Sequence, residues 1–214
     1  NKTLSKKYYL GISRVLITYV LASLIYLGYR AIYFGEPFGI KHIVRCIVEF
    51  DIANAWYIKM YIGLFLLIPF INLIYNNLKV KKQKQILIIT MLILTSFQGI
   101  FNIKYSLIPD WWIGIYPLTY YFIGCYLKEY KVNIKPFKNI LLLLFCLLIS
   151  SLINIYISKG NTFVWGIHNE YSSILNVSTS VLIFILITNL DLQKLNIKLK
   201  KIITKLSELS LGVY

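Results

Sequence analysis

Charged residues are scarce in this sequence. Of the 214 residues, 14% are Asp, Glu, Lys or Arg, and only 8 are acidic. A soluble domain carries about 25% charged and about 45–50% apolar residues. Here 58% of the residues are apolar and the mean hydropathy is +0.67. These proportions exclude a soluble globular enzyme and a disordered chain, and they indicate a helical protein embedded in a membrane.

Cysteine and histidine are also few. Cys46, Cys125 and Cys146 are far apart and form no CxxC pair, so they indicate neither a disulfide framework nor a metal site. His42 and His168 fall between apolar runs and have no carboxylate at helical spacing, so neither marks an acid–base pair. His168 lies in a polar turn that makes it the better of these two weak candidates for substrate contact. The glycine-rich, zinc-binding and serine-nucleophile motifs of soluble enzymes are absent from the sequence.

Six apolar runs approach the length of about 20 residues that a helix needs to cross a bilayer core. The runs are continuous rather than alternating, which disfavours the strands of a membrane barrel. The sequence therefore predicts an all-α, polytopic transmembrane bundle that forms a single membrane domain over residues 1–214. The predicted spans lie near residues 15–33, 56–75, 86–103, 108–126, 140–157 and 174–190.

The positive charge follows the predicted topology. The net charge is +15, and 20 of the 23 basic residues are Lys. Such a charge can indicate a nucleic-acid partner, but here 17 of the 23 basic residues fall in the N-terminal arm, loops 2 and 4 and the C-terminal segment. Cytoplasmic loops of membrane proteins are enriched in Lys and Arg. We therefore expect lipid and no nucleic acid as a partner, both ends of the sequence in the cytoplasm, and loops 1, 3 and 5 outside.

Two segments between or after the spans have a helical apolar stripe. Residues 40–50 belong to the longest outer loop, and residues 191–205 carry Lys between Leu and Ile on the inner side. We expect both to lie along the membrane surface as amphipathic helices. The four tryptophans all fall at the predicted outer boundary, where an indole ring anchors a helix or lines an outward-facing site. They are Trp56, Trp111, Trp112 and Trp165.

Two basic residues next to or within spans are candidates for chemistry. Lys59 lies inside the second span, one turn from Trp56, where an ionisable residue is costly. Its ammonium either extends to the interface or lines a polar cavity beside Trp56. Arg14 lies at the inner end of the first span. Its positive charge either helps to set the orientation of the span or binds a phosphate group.

Other residues within the spans predict contacts between helices. Hydroxyl and amide side chains such as those of residues 95, 96 and 98 fit hydrogen bonds from helix to helix. Gly63, Gly99, Gly114 and Gly124 suggest close approach of helices, and prolines 69 and 117 suggest kinks or irregular segments.

Several stretches resemble one family, the integral-membrane acyltransferase 3 family that modifies cell-surface sugars. Residues 55–72 are similar to its LWFLYALIGLYLLLPLLN pattern, with Trp56, Gly63, Leu64 and Pro69 in register. Three further stretches occur in the order of the family. Residues 13–19 resemble RRLLIPY, residues 120–127 resemble YFLLGYYL, and residues 209–214 resemble the start of LSFGIYLIH.

The resemblance implies a membrane enzyme of the bacterial cytoplasmic membrane. Such an O-acyltransferase moves an acyl group, expected to be acetyl, from acyl-CoA to a hydroxyl of a cell-surface or lipid-linked polysaccharide. It implies acyl-CoA as co-substrate, no bound cofactor and no metal. Arg14 would bind the acyl donor, and Trp56, Tyr57 and Lys59 would bind the sugar.

The sequence also departs from the family. The family's catalytic His and a nearby Arg belong to a span that would precede residue 1, so we expect this chain to be a fragment that is inactive alone. Gly11 stands at the first position of the family's basic pair, and Thr18 replaces its usual Pro. Two other functions stay open, a transporter or flippase of a lipid-linked glycan and a non-catalytic membrane scaffold. A transporter is expected to show inverted repeats, and the sequence has none.

Overall fold

A computed structural model describes residues 4–37, 39–48, 56–98, 108–159, 162–166, 169–189 and 196–209. All regular secondary structure in these ranges is helical, which confirms the all-α prediction. The helices in chain order are α1 (Lys6–Leu10), α2 (Ser13–Phe34), α3 (Ile40–Val48), α4 (Trp56–Asn77), α5 (Lys81–Thr95), a short 3-10 helix (Asp110–Ile115), α6 (Tyr116–Tyr130), α7 (Pro136–Ser158), α8 (Ile174–Thr188) and α9 (Ile197–Leu209).

Within the described ranges, three stretches are long and apolar enough to cross a membrane: Lys6–Phe34, Trp56–Asn77 and Pro136–Ser158. They overlap the predicted spans at 15–33, 56–75 and 140–157. Helix α8 is apolar but shorter, and it overlaps the predicted span at 174–190. The chain divides into two compact units. The first comprises residues 1–76 and 195–214, and the second comprises residues 77–194.

Helices α5 and α6 differ from the predicted spans in their bounds. Helix α5 begins at Lys81 rather than near residue 86, because the side chain of Gln83 accepts a hydrogen bond from the Val80 N–H at 3.3 Å and caps this end. The predicted span at 108–126 begins with the 3-10 helix, and the α-helix starts at Tyr116 and continues to Tyr130. Pro117 lies in the first turn of α6, where the N–H it lacks has no helical partner. This proline therefore marks the start of a helix rather than a kink within one.

Helix α3 lies beside α2 in the first unit. The Tyr19 hydroxyl donates a hydrogen bond of 2.7 Å to the Cys46 carbonyl, and both residues are buried. Tyr19 precedes Phe34, the end of α2, by 15 residues, or about 22 Å of helix. Helix α3 therefore packs against α2 through Cys46, and the placement of residues 40–50 along the membrane surface stays a prediction.

Two helix pairs build the second unit, α5 with α6 and α7 with α8. Between α5 and α6, the buried hydroxyls of Thr95 and Thr119 are 2.9 Å apart and hydrogen-bonded. Between α7 and α8, the Asn139 amide donates to the Leu182 carbonyl at 3.1 Å. These contacts confirm the prediction that polar residues such as Thr95 join helices.

The predicted role of the glycines is wrong where the structure describes them. A methyl group placed at Gly63, Gly114 or Gly124 would meet no described atom within 4 Å. These glycines therefore lie in open space rather than at a close helix contact, and Gly99 lies outside the described residues.

Candidate functional site

The first turn of α4 carries three of the predicted site residues. The rings of Trp56 and Tyr57 meet edge to face with centroids 6.0 Å apart. Trp56 is 41% exposed, and the Lys59 side chain is also exposed. Residues three apart on a helix share a face, so the indole of Trp56 and the ammonium of Lys59 lie on one side of α4. An aromatic face beside a cation and a phenol can stack on a sugar ring and hydrogen-bond its hydroxyls.

Arg14 lies in the first turn of α2. Its side chain is exposed, and its guanidinium forms no ion pair within the described ranges. Gly11 and Ile12 keep right-handed helical dihedral angles, so α1 continues into α2 through one tight turn. The exposed Lys6 and Lys7 of α1 therefore precede Arg14 by about two turns on almost one helical axis. This stretch presents three cations to a polyanion.

A contact between α1 and α4 joins the two stretches that carry these residues. The Tyr8 hydroxyl donates to the Phe65 carbonyl at 2.7 Å, and the two rings stack with centroids 4.4 Å apart. Arg14 follows Tyr8 along the chain, and Trp56 precedes Phe65. The structure thus brings Trp56 and Tyr57 together, whereas Arg14 lies on a separate helix.

A cluster of aromatic rings in the second unit was not predicted as a site. The Tyr120 hydroxyl donates to the Tyr171 carbonyl at 2.8 Å, and the Tyr116 ring is stacked near the Tyr171 ring at 6.4 Å. The indole N–H of Trp165 donates to the Glu170 carboxylate at 3.0 Å. Trp165 is 60% exposed and Tyr171 is 51% exposed. The sequence signal was the polar turn around His168, a residue outside the described ranges.

Three asparagines hold this aromatic cluster in place. The Asn176 amide donates to the carbonyls of Asn169 and Glu170 at 3.0 and 2.9 Å. The Asn169 amide donates to the Asn154 side-chain oxygen on α7 at 2.9 Å. The segment before α8 is therefore fixed to both α7 and α8, and its aromatic rings have a rigid support.

A charged pair lies at the other end of the α5–α6 pair. The Lys84 ammonium donates to both carboxylate oxygens of Glu129 at 2.6 and 2.7 Å. The Lys84 side chain is only 8% exposed, whereas that of Glu129 is 40% exposed. Because a buried ammonium needs a partner, Glu129 stabilises Lys84 where α5 begins. No group of three metal-ligating side chains occurs in the part of the chain that the structure describes.

A family model described as an acyltransferase domain matches residues 1–214, the whole of the sequence. No curated protein and no solved structure matches the chain.

Proposed function

The chain belongs to the acyltransferase 3 family of membrane proteins, and we propose that the protein transfers an acetyl group from acetyl-CoA to a sugar hydroxyl of a cell-surface or lipid-linked polysaccharide. The match of the acyltransferase domain model to every residue of the sequence carries this proposal. We further propose that the protein acts in the bacterial cytoplasmic membrane.

The proposed reaction is an acyl transfer from sulfur to oxygen. The oxygen of the sugar hydroxyl attacks the thioester carbonyl, and the C–O bond of the ester forms as the C–S bond breaks. The hydroxyl proton passes to a general base, and the sulfur leaves as the thiol of coenzyme A. In this proposal Arg14, Trp56, Tyr57 and Lys59 bind and orient the two substrates.

The cations of α1 and α2 support the assignment of the donor. Coenzyme A carries several phosphate groups, and a guanidinium binds phosphate oxygens with two parallel hydrogen bonds. Arg14 is exposed and follows Lys6 and Lys7 on one helical stretch. Predicted topology places these residues on the cytoplasmic side, where acetyl-CoA is made.

The first turn of α4 supports the assignment of the acceptor. The edge-to-face contact of Trp56 with Tyr57 leaves the indole 41% exposed. Lys59 on the same helical face supplies a hydrogen-bond donor for sugar oxygens. Predicted topology places this turn on the outer side, where a surface polysaccharide is modified.

Labelled acetyl-CoA tests this proposal in membranes that contain the protein. Transfer of label to polysaccharide is expected, and Trp56→Ala should lower this transfer at least tenfold while acetyl-CoA binding stays unchanged. Arg14→Ala should raise the KM for acetyl-CoA more than Arg14→Lys does, because a point charge replaces part of the guanidinium's function.

The control for these variants is Lys205→Ala on α9, which removes an exposed cation from a helix that carries none of the proposed site residues. It should leave transfer unchanged at equal expression. Absence of label from the polysaccharide, with intact protein in the membrane, would contradict the enzyme and favour a flippase or a scaffold. Equal kinetics for the parent protein and both Arg14 variants would remove Arg14 from the donor site.

A further inference from the structure

An apolar groove runs between α5, α6 and α8 in the second unit. Its volume is about 510 Å³, within the range of roughly 300–1,000 Å³ that is usual for ligand sites. Seven of its ten lining residues are Ile, Leu or Val. The lining residues are Gln85, Ile88, Ile89, Leu92, Ile123, Tyr126, Ile174, Val177, Ser178 and Val181. A groove with this lining fits a hydrocarbon chain better than a sugar or a nucleotide.

One end of the groove is polar. Gln85 donates to the Tyr126 hydroxyl at 2.9 Å, and both residues line the groove. One turn further along each helix come Lys81 and Tyr130, with the Lys81 ammonium 5.0 Å from the centre of the Tyr130 ring. The rings of Tyr126 and Tyr130 are 4.7 Å apart. The groove therefore leads from apolar side chains, past a hydrogen-bonded amide and phenol, to a cation.

The nearby carboxylate does not neutralise Lys81. Glu129 directs both of its oxygens to Lys84 at 2.6 and 2.7 Å. Lys81 is exposed and has no carboxylate partner in the described part of the chain. Its positive charge is therefore available to an anion at the end of the groove.

We propose that this groove binds an anionic phospholipid. One acyl chain lies between α5, α6 and α8, and the head-group phosphate lies against Lys81, with Gln85 and Tyr126 beneath it. The groove presents a cation, then two polar side chains, then apolar side chains. A phospholipid matches this order, because it has an anionic phosphate, then polar esters, then hydrocarbon along its length. Each Lys near a lipid surface contributes about 1 kcal/mol of attraction to anionic head groups, or about fivefold in affinity.

Native mass spectrometry of the purified full chain in a non-ionic detergent tests this site. Phosphatidylglycerol and phosphatidylcholine with identical acyl chains are added in separate titrations. We expect phosphatidylglycerol to form a single preferred adduct, at least fivefold tighter than that of phosphatidylcholine. Lys81→Gln should weaken the phosphatidylglycerol adduct about fivefold, whereas the neighbouring Lys82→Gln should change it less than twofold.

A second pair of variants tests the hydrocarbon part. Ile89 lines the groove and Ile86 does not, although both lie on α5 and both are 54% exposed. Ile89→Trp fills the groove and should weaken both phospholipids at least fivefold, whereas Ile86→Trp should leave both unchanged. Because both positions are half-exposed, either indole can be accommodated without loss of the fold.

Three results would overturn the proposal. The first is equal binding of the two phospholipids together with an unchanged Lys81→Gln variant. The second is equal effects of Ile89→Trp and Ile86→Trp. The third is displacement of phosphatidylglycerol by coenzyme A at equal concentration, which would assign Lys81 to the phosphates of an acyl donor instead. None of these results bears on acetyl transfer itself, so the lipid site and the enzymatic function are tested separately.

Discussion

Polar side chains inside the apolar helices form hydrogen bonds with backbone carbonyls and with one another. The Thr95 hydroxyl bonds to its own helix at the Met91 carbonyl, 2.8 Å away, and to Thr119 on α6, 2.9 Å away. Gln98 donates to the Leu94 carbonyl and to the Pro109 carbonyl. An unpaired hydroxyl or amide in hydrocarbon costs several kcal/mol, so its two hydrogen bonds explain how Thr95 persists in an apolar run. The Gln98 amide nitrogen is paired in the same way, whereas its side-chain oxygen is buried without a hydrogen-bond partner among the described residues.

Lys131 provides a prediction about stability. It ends α6 in the left-handed conformation, with φ of 38°, and its N–H donates to the Leu127 carbonyl at 3.0 Å. A side chain is strained in this conformation and glycine is not. Lys131→Gly relieves this strain in the folded state, but glycine also raises the conformational entropy of the unfolded chain. The net result should be an increase of about 0.5–1 kcal/mol in the free energy of unfolding. A thermal or denaturant unfolding curve in detergent measures the change.

Lys135→Gly is the matched control, because Lys135 has a φ of −51° and precedes α7. Both variants remove one positive charge, so a difference between them reports on backbone conformation. A gain in stability from Lys135→Gly equal to that from Lys131→Gly would contradict the strain at Lys131.

Polar partners could be predicted from the sequence only in part. Thr95 and Gln98 were recognisable as hydroxyl and amide groups within an apolar run. The predicted contact with another helix is confirmed for Thr95, whereas Gln98 bonds to Leu94 in its own segment and to Pro109, which precedes the 3-10 helix. Their partners were not recognisable, because Thr119 is 24 residues from Thr95 and no local pattern joins them. The salt bridge of Lys84 had one signal, since Glu129 is an isolated acid among the lysines of loop 4.

Whole helices were easier to predict than their ends and their contacts with one another. Long apolar runs determine α2, α4 and α7, because length and hydropathy suffice for a membrane helix. The start of α5 was harder, since lysines in its first turn belong equally to a loop or to a helix whose side chains extend to water. The contact of α3 with α2 was not predicted, because an amphipathic pattern is the same for packing against lipid and for packing against another helix.

The packing of α3 against α2 predicts the reactivity of a cysteine. Cys46 is 5% exposed, and its carbonyl accepts the hydrogen bond of Tyr19. Tyr19→Phe removes this bond, whose net contribution is about 0.5–1.5 kcal/mol, so local opening of α3 should become about two- to tenfold more frequent. The rate at which N-ethylmaleimide labels Cys46 measures this opening, in a protein where Cys125 and Cys146 are replaced by Ser.

Tyr29→Phe on the same helix is the control for this measurement. Its ring stacks on Tyr33 at 5.0 Å, outside the α2–α3 hydrogen bond. The rate at which Cys46 is labelled in Tyr29→Phe should equal the rate in the parent protein. Unchanged labelling of Cys46 in Tyr19→Phe would show that the hydrogen bond does not hold α3 against α2.

At the scale of the whole protein, the distribution of charge predicts the orientation in the membrane. Basic residues divide 17 to 6 between alternate loops, and the side with more Lys and Arg is normally cytoplasmic. Acid residues follow the opposite trend, with Glu36, Asp110 and Glu170 on the side that has few lysines. The positions of Arg14 and of Trp56 in the proposed reaction both depend on this orientation.

Labelling of introduced cysteines tests the orientation. In a protein whose three native cysteines are replaced by Ser, Lys81→Cys lies in a basic segment and Lys159→Cys lies in a loop with few basic residues, and both side chains are exposed. An impermeant thiol reagent added to intact cells should label Lys159→Cys and should label Lys81→Cys only after the membrane is permeabilised. The reason is that the translocation of each loop depends on its Lys and Arg content.

The reverse labelling pattern would show that the protein has the opposite orientation in the membrane. Arg14 would then lie on the side that lacks acetyl-CoA, and Trp56 would lie on the side that lacks surface polysaccharide. Labelling of both sites in intact cells would instead show that the helix pair from α5 to α6 does not begin at the cytoplasmic face.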